Sequence, residues 1–359
     1  MSKLCCAVIS PWDFDDPASW SGVVYRAVRA LEKYADIERI HVPETQSSVV
    51  DRALAKASGA LGKAYIPGSS FISSARDSLR VREQVKDQHF DAYISLAAST
   101  STLALPSGTP LIQVTDSSFA AMEKSYYPNG ALSPLSSAQG LAIDKFSALR
   151  SSHYSVASRW SAEMLQKDVK VPADRILVNP FGPGIVPERV HTRRGDNSIL
   201  RLLFISSPWE RKGGDTVLQI VSQLRSIRPV ELTIVGKVPG DLPEWVTHYP
   251  RLSPTELSEQ YLSHDILLEM TRGSAGGVVV TDAIAHSLPV LATAVGGMMT
   301  LVRPGINGWL VAPVSPVEDA VEILGSISQE ELQNLSDSTR EYAQELTWDH
   351  WAQNILNII

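Results

Sequence analysis

The feature that most constrains this chain is the alternation of strand-like and helix-like segments along nearly all of its 359 residues. Short apolar runs read as strands at Leu4–Ser10, Ile37–Val42, Ala92–Leu96, Leu111–Thr115, Tyr154–Ala157 and Ile176–Val178. Between them, Val23–Tyr34 and stretches around Ser74–Gln88, Ser137–Ser151 and Ser158–Lys167 read as helices. Such alternation builds βαβ units, and therefore parallel sheets covered by helices. The pattern weakens after Pro180-Phe181-Gly182-Pro183-Gly184, and the polar stretch His191–Ser198 reads as a linker. It then restarts, with strands at Leu200–Ile205, Glu231–Val235, Asp265–Glu269 and Pro289–Ala294. Helices at Gly214–Ser226, Pro254–Ser263 and Gly277–His286 separate them. Two α/β halves are the natural reading: residues 1–190 and 198–339, with a helical tail. In that tail Trp348 and Trp351 share a face that needs a partner surface.

Composition narrows the function classes. The net charge of −7 argues against a general nucleic-acid binder. No apolar run reaches the ~18–20 residues of a membrane span, and the start MSKLCCAVIS does not read as a secretory signal. The only cysteines, Cys5 and Cys6, are adjacent, so no disulfide framework or cysteine zinc site is expected. The expectation is a cytoplasmic protein. Gln46–Ser74 has no firm period. From Asp51 to Phe90 seven Lys or Arg stand against four Asp or Glu, a basic excess in an acidic chain. It reads either as a solvated face or as a contact with an anionic acceptor or membrane surface.

Four segments carry the chemistry. Ser206-Ser207-Pro208-Trp209-Glu210-Arg211-Lys212-Gly213-Gly214-Asp215 joins a strand to a helix, at the end of the strand where open α/β sheets bind ligands. Two cations beside two glycines at a helix start suit a diphosphate; solvated charges on an ordinary loop are the alternative. Met270 to Ala283 (MTRGSAGGVVVTDA) forms a second glycine-rich strand-to-helix connection, either an anion cradle or a close helix-packing loop. Pro289–Met298 is a strand ending in Gly296-Gly297, and Pro304-Gly305-Ile306-Asn307-Gly308 is turn chemistry. Asp13-Phe14-Asp15 contains D-x-D, a spacing that can hold a metal, but it lies just after the first strand, too early in the chain for that role, and no metal requirement follows.

In their order, WERKGGD, LTIVGK, TRGSAGGVVVTDAIAHSLPVLATAVGG and PGINGWLV resemble the donor domain of retaining glycosyltransferases of family 4. The resemblance covers about Leu200–Val311 and extends loosely to Trp20-Ser21-Gly22, Asn179-Pro180-Phe181-Gly182 and Thr347-Trp348. It implies an α/β protein of GT-B fold: two Rossmann-like domains facing across a cleft, with the C-terminal helix, 340–359, crossing back to the first. The implied activity is metal-independent transfer of a hexose from a nucleotide-diphosphate sugar, UDP favoured, to a hydroxyl acceptor with retention. The acceptor would be a glycan, a lipid-linked molecule or a small molecule, in glycan or polysaccharide biosynthesis, with possible peripheral contact at the inner membrane face. Arg211 and Lys212 would grip the diphosphate as it leaves. Gly22, Gly236, Lys237 and Leu252 would line the donor's phosphates and base. Gly276, Gly277 and Val278 would contact the distal phosphate and sugar.

The family's two glutamates, separated by seven residues, correspond here to Ser274 and Asp282. Asp282 suits ribose binding. Ser274 lacks the charge that would hold donor-sugar hydroxyls, so an unusual donor, a substitute group or a catalytically inactive nucleotide- or glycan-binding protein are all open. Glu269 is the nearest other carboxylate. In the first half, Asp116 is the candidate active-site polar residue, with a helix N-cap as its alternative role.

Overall fold

The computed structural model describes residues 3–43, 46–127, 130–189 and 198–359. The chain divides into two compact units, Met1–Pro180 with Trp348–Ile359, and Phe181–Thr347.

The first unit holds six strands: β1 (Cys5–Ser10), β2 (Asp36–His41), β3 (Ala92–Leu96), β4 (Leu111–Thr115), β5 (His153–Val156) and β6 (Ile176–Val178). They pair in the order β2-β1-β3-β4-β5-β6, all parallel. The order reverses between β1 and β3, so the loops leaving their carboxyl ends diverge and open a crevice there. The central strands are apolar and covered on both faces, as parallel sheets require. Ala7, Ile9, Tyr93 and Leu111 form part of one core cluster, and Tyr154 and Val156 part of another.

The second unit repeats the plan with β7 (Leu200–Ser206), β8 (Val230–Gly236), β9 (Val246–Tyr249), β10 (Ile266–Glu269), β11 (Val290–Thr293) and β12 (Gly308–Val311). Their order is β12-β11-β10-β7-β8-β9, again all parallel. Counted from β7 this is 3-2-1-4-5-6, the doubly wound order of dinucleotide-binding sheets. Its reversal lies between β7 and β10. Alternate residues go to opposite layers. Leu202, Phe204 and Leu268 pack with Val217, Ile220 and Leu324 on one side. Leu203, Leu267 and Val290 pack with Val280, Ala283 and Ile284 on the other.

The division between the units falls ten residues earlier than the sequence pattern suggests. Phe181–Arg189 do not finish the first half: the backbone N–H of Ile185 donates to Asp282 Oδ1 at 2.9 Å, and Thr281 Oγ1 donates to the Gly182 carbonyl. The linker stretch His191–Ser198 lies, except for Ser198, outside the described residues. The return to the first unit begins at Trp348 rather than at residue 340, because Gln329–Ala343 is a separate helix of the second unit. The last helix, Trp348–Leu356, packs against the helix Val23–Tyr34 of the first unit, and there the two indoles find their partner surface. Trp348 and Trp351 meet edge to face at 5.4 Å, both buried, and Asn179 Nδ2 donates to the Trp351 carbonyl. Lys33 and Asp349 pair at 2.7 Å beside them.

Several elements escape the sequence pattern, the helix Pro316–Ser326 among them. Gly308–Val311 is a strand beside β11, not only a turn, and Val246–Tyr249 is the edge strand β9. Val49–Ala60 is a helix inside the stretch that shows no period.

Candidate active site

In the second unit the loops after β7 and β10 leave on either side of the strand-order reversal, and hydrogen bonds tie them together. Trp209–Lys212 is one helical turn that ends at Gly213, with φ +76°. A Cβ on Gly213 would overlap the Met270 carbonyl oxygen, so only glycine lets the two loops touch. Arg211 then bridges them: Nη1 donates to the Gly273 carbonyl at 2.8 Å and Nη2 to the Ser207 carbonyl at 3.3 Å. The Arg272 N–H donates to the Arg211 carbonyl at 2.8 Å. The third loop joins through Gly297 N–H to Ser274 O at 2.8 Å, and through Thr293 Oγ1 to Thr271 O. The rim formed by the three loops is thereby fixed before any ligand arrives, which is what electrostatic stabilisation of a developing charge needs.

Lys212 does not stand free beside Arg211. Its ammonium donates to Glu269 Oε1 at 2.6 Å, with side-chain exposures of 8% for Lys212 and 1% for Glu269. Glu269, at the end of β10, therefore points at the cation that the sequence assigns to the diphosphate. Its other oxygen, Oε2, and the hydroxyl of Tyr261 are both buried without a hydrogen-bond partner among the described residues. Burial raises the Tyr261 pKa well above the usual phenol range, and the charges of Asp282 and Glu269 add to it. Sequence reasoning gives Tyr261 no role; a lone tyrosine on an amphipathic helix carries no signal.

The remaining donor candidates divide. Ser274 and Gly276 are buried in the loop after β10. Gly277, with φ +65°, opens the helix Val278–Ala285, and its α-carbon faces Leu301 and Met298, so the packing role applies to it. Val278 is half-buried at the first helical position. Asp282 is buried in that helix, and its Oδ1 serves the Ile185 N–H. Gly236 ends β8 at φ +122°, where a Cβ would overlap the Ser206 carbonyl. Its own carbonyl meets His248 Nε2 at 2.8 Å. Lys237 is exposed beyond it, with its carbonyl held by Ser206 Oγ at 2.9 Å. Leu252 is half-buried against the core cluster that holds Leu203 and Leu301. Arg272 was passed over by the sequence reading. Its guanidinium is exposed on the rim with no partner among the described residues, and a cation between two strand-end loops was the available signal.

In the first unit, Trp20 (φ 46°), Ser21 (φ 59°) and Gly22 (φ 86°) form a left-handed run that opens the helix Val23–Tyr34. Two non-glycine residues in that region cost of order 1–3 kcal/mol each, a cost usually retained at functional sites. Asp116 lies just past β4. The N-cap of the following helix is Ser118, which accepts from Ala121 N–H at 3.1 Å, so the capping role does not fall to Asp116. Desolvation pushes the Asp116 carboxyl up to about 6. Nearby, a cavity of about 130 Å³ is lined by Ala97, Ser99, Thr115, Ser117, Asp144 and Tyr154. Burial likewise pushes Asp144 up to about 6, although it accepts the Phe119 N–H at 2.6 Å. The D-x-D aspartates are occupied: Asp13 accepts from the Asp15 N–H, and Asp15 pairs with Arg29 and Arg39, each at 3.0 Å.

Comparison with known proteins bears on both units. Residues 200–329 match the family model described as "Glycosyl transferases group 1". A D-inositol 3-phosphate glycosyltransferase of Xylanimonas cellulosilytica is 26% identical over 263 residues, 64% of this chain and 62% of that protein. One from Geodermatophilus obscurus is 32% identical over 100 residues, 28% of this chain and 22% of that protein. The chain thus covers less than two thirds of either relative. Among solved structures, sucrose-phosphate synthase from Thermosynechococcus elongatus superposes with a TM-score of 0.73 at 17% identity, covering 99% of this chain and 98% of that one. The Anabaena HepE protein in complex with UDP and glucose superposes at 0.66 and 12% identity, covering 98% of each.

Proposed function

From a chain whose residues 200–329 form a glycosyl transferases group 1 domain on a GT-B fold, we propose transfer of a sugar from a nucleotide-diphosphate donor to a hydroxyl acceptor. The observation that carries this reading is the pre-tied rim of the second unit. There Arg211 is clamped between two strand-end loops at the strand-order reversal, next to the open guanidinium of Arg272. Cations and helix N-termini offset the charge of a leaving diphosphate without a metal ion. Under this reading the donor is a UDP-sugar, a choice supported by the UDP and glucose bound to the Anabaena neighbour. The anomeric configuration is retained, the acceptor hydroxyl attacking from the face that the diphosphate leaves and passing its proton to the departing phosphate oxygen. Asp282 helps to hold the ribose, and Asp116 is the first unit's candidate active-site residue. The acceptor is a glycan, a lipid-linked molecule or a small polyol, the last suggested by the names of the curated relatives. The work is done at a membrane face. The contact under this reading is peripheral; among the described residues no helix is long and apolar enough to cross a membrane.

The test is turnover of UDP-sugars against a panel of acceptors. Arg211→Ala should lower it at least about ten-fold, the scale of losing one charge-assisted contact. Unchanged turnover in that variant would sink the diphosphate assignment. A second reading, a protein that binds nucleotide or glycan without turnover, is favoured by two observations: Ser274 lacks a carboxylate, and the Lys212 ammonium is engaged by Glu269. Retained nucleotide binding with the donor left intact under every acceptor would select it.

A further inference from the structure

Three helices of the first unit bury polar residues and leave large apolar ones outside. On Phe71–Val85 the inward residues are Ser73, Ser74 and Ser78 with Val81 and Val85; on Pro134–Arg150 they are Ser136, Gln139 and Ser147 with Gly140, Ile143 and Ala148. On Val49–Ala60 the one fully covered residue is Asp51. These polar groups satisfy one another. Asp51 accepts from Ser48 Oγ at 2.8 Å, Tyr65 Oη at 3.0 Å and Ser73 Oγ at 3.3 Å, and Gln139 Nε2 donates to Tyr65 Oη at 3.3 Å. The large apolar side chains point the other way. Leu149 is 84% exposed, Leu79 58% and Phe146 52%, and Phe71, Ile72 and Leu135 are exposed beside them. On Phe71–Val85 and on Pro134–Arg150 these residues fall within an arc of roughly 100°, at 100° per residue. The Phe71 and Phe146 rings, 6.5 Å apart, join the two arcs into one surface. Val49, Val50 and Leu61 are exposed on the third helix and at its C-terminal end. Nine of the eleven exposed large apolar residues described in this unit lie here, so they form a patch rather than scatter.

The charges around the patch are of one sign. On these helices the exposed charged side chains without a partner among the described residues are Lys56, Arg82 and Lys145. The exposed acid, Glu83, is paired with Lys86. Packing on the sheet uses only the inner faces, with Val81, Val85 and Ile143 among the serines, so it does not account for the outward leucines and phenylalanines; an apolar environment outside the protein does. Two copies of this face would bring like charges together, whereas anionic headgroups complement them. We propose that this outer face of the first unit is a docking surface for an anionic lipid bilayer. Leu79, Phe146 and Leu149 enter the acyl boundary, and Lys56, Arg82 and Lys145 meet the lipid phosphates. The inference rests on the membrane-facing part of the proposed function and is independent of sugar transfer.

The test is co-sedimentation of the full chain with vesicles of phosphatidylcholine alone and of phosphatidylcholine mixed with phosphatidylglycerol. The expected result is binding to the mixed vesicles only, weakening as salt is raised. Phe146→Ser/Leu149→Ser should lose binding by roughly ten-fold or more, the scale of removing two buried apolar side chains from a membrane. Lys56→Glu/Arg82→Glu/Lys145→Glu should lose it comparably. All these side chains are exposed, so thermal unfolding should match wild type, which separates lost docking from lost folding. Variants that bind as wild type overturn this surface while leaving membrane contact elsewhere. A wild type that ignores anionic vesicles overturns the membrane reading itself, whatever the enzyme turns over. A concentration-dependent dimer abolished by Phe146→Ser/Leu149→Ser would make the face an interface between copies and contradict the proposal.

Discussion

The two units share six parallel strands and a strand-order reversal, yet their helix layers are built on opposite rules. In the second unit, leucine, valine and isoleucine fill both layers, and glycines sit where loops must touch backbone to backbone. In the first, two of the helices beside the sheet turn serine and glutamine inward among valine and isoleucine, and leave phenylalanine and leucine outside. Gln113 of β4 illustrates the difference. It is buried mid-strand and donates to Thr102 Oγ1 at 2.9 Å and Ser147 Oγ at 3.0 Å, where the second unit has leucine. The contrast teaches that the two halves are optimised for different demands. One needs a rigid rim around a charge, and the other needs an apolar outer face and must satisfy its inner one by hydrogen bonds.

The sharpest way to break the comparison is at the glycines. Gly213→Ala should destabilise the second unit by about 4 kcal/mol or more, since a Cβ meets a carbonyl oxygen in a left-handed conformation. Gly59→Ala in the first unit, with open space around it in a helix, should be neutral or stabilising by up to about 1 kcal/mol. Denaturant unfolding of both variants checks this. Next comes the buried ion pair. Glu269→Gln should cost about 3–5 kcal/mol by leaving the Lys212 charge uncompensated. Lys212→Met/Glu269→Leu should recover most of that, because an apolar pair of similar volume replaces two desolvated charges. In the first unit, Asp51→Ala should cost about 2–3 kcal/mol by stripping partners from Tyr65 and Ser73.

The smallest effect is on pH. Desolvation raises Asp116 and Asp144 to about 6 in the folded state, above the unfolded value near 3.9. Their contribution to stability is therefore fully present below about pH 4 and lost as pH rises through 6. Between pH 7 and 5 the first unit should gain on the order of several °C in Tm, and Asp116→Asn/Asp144→Asn should flatten that rise. Calorimetry that resolves the two units would check the sign.

The fold was largely legible because parallel strands buried on both faces leave continuous apolar runs, and the order of the glycine loops placed the rim of the second unit. What stayed hidden has physical reasons. Val49–Ala60 shows no helical period because alanine and small polar residues leave no stripe to read. Glu269 reads as one more strand residue until the structure turns it toward Lys212. The break at Pro180 was obscured because Ile185 and Gly182 join the second unit by hydrogen bonds to Asp282 and Thr281, and local composition does not record such bonds.

The measurement that tests the central claim most directly is the thermal shift produced by UDP in wild type, in Arg211→Ala and in Lys212→Met/Glu269→Leu. A ligand at one hundred times its Kd stabilises the native state by about 2.7 kcal/mol, a readily visible shift. The account predicts a shift in wild type, and its loss in both variants although both remain folded. An undiminished UDP shift in both variants would contradict the assignment of the diphosphate to this rim.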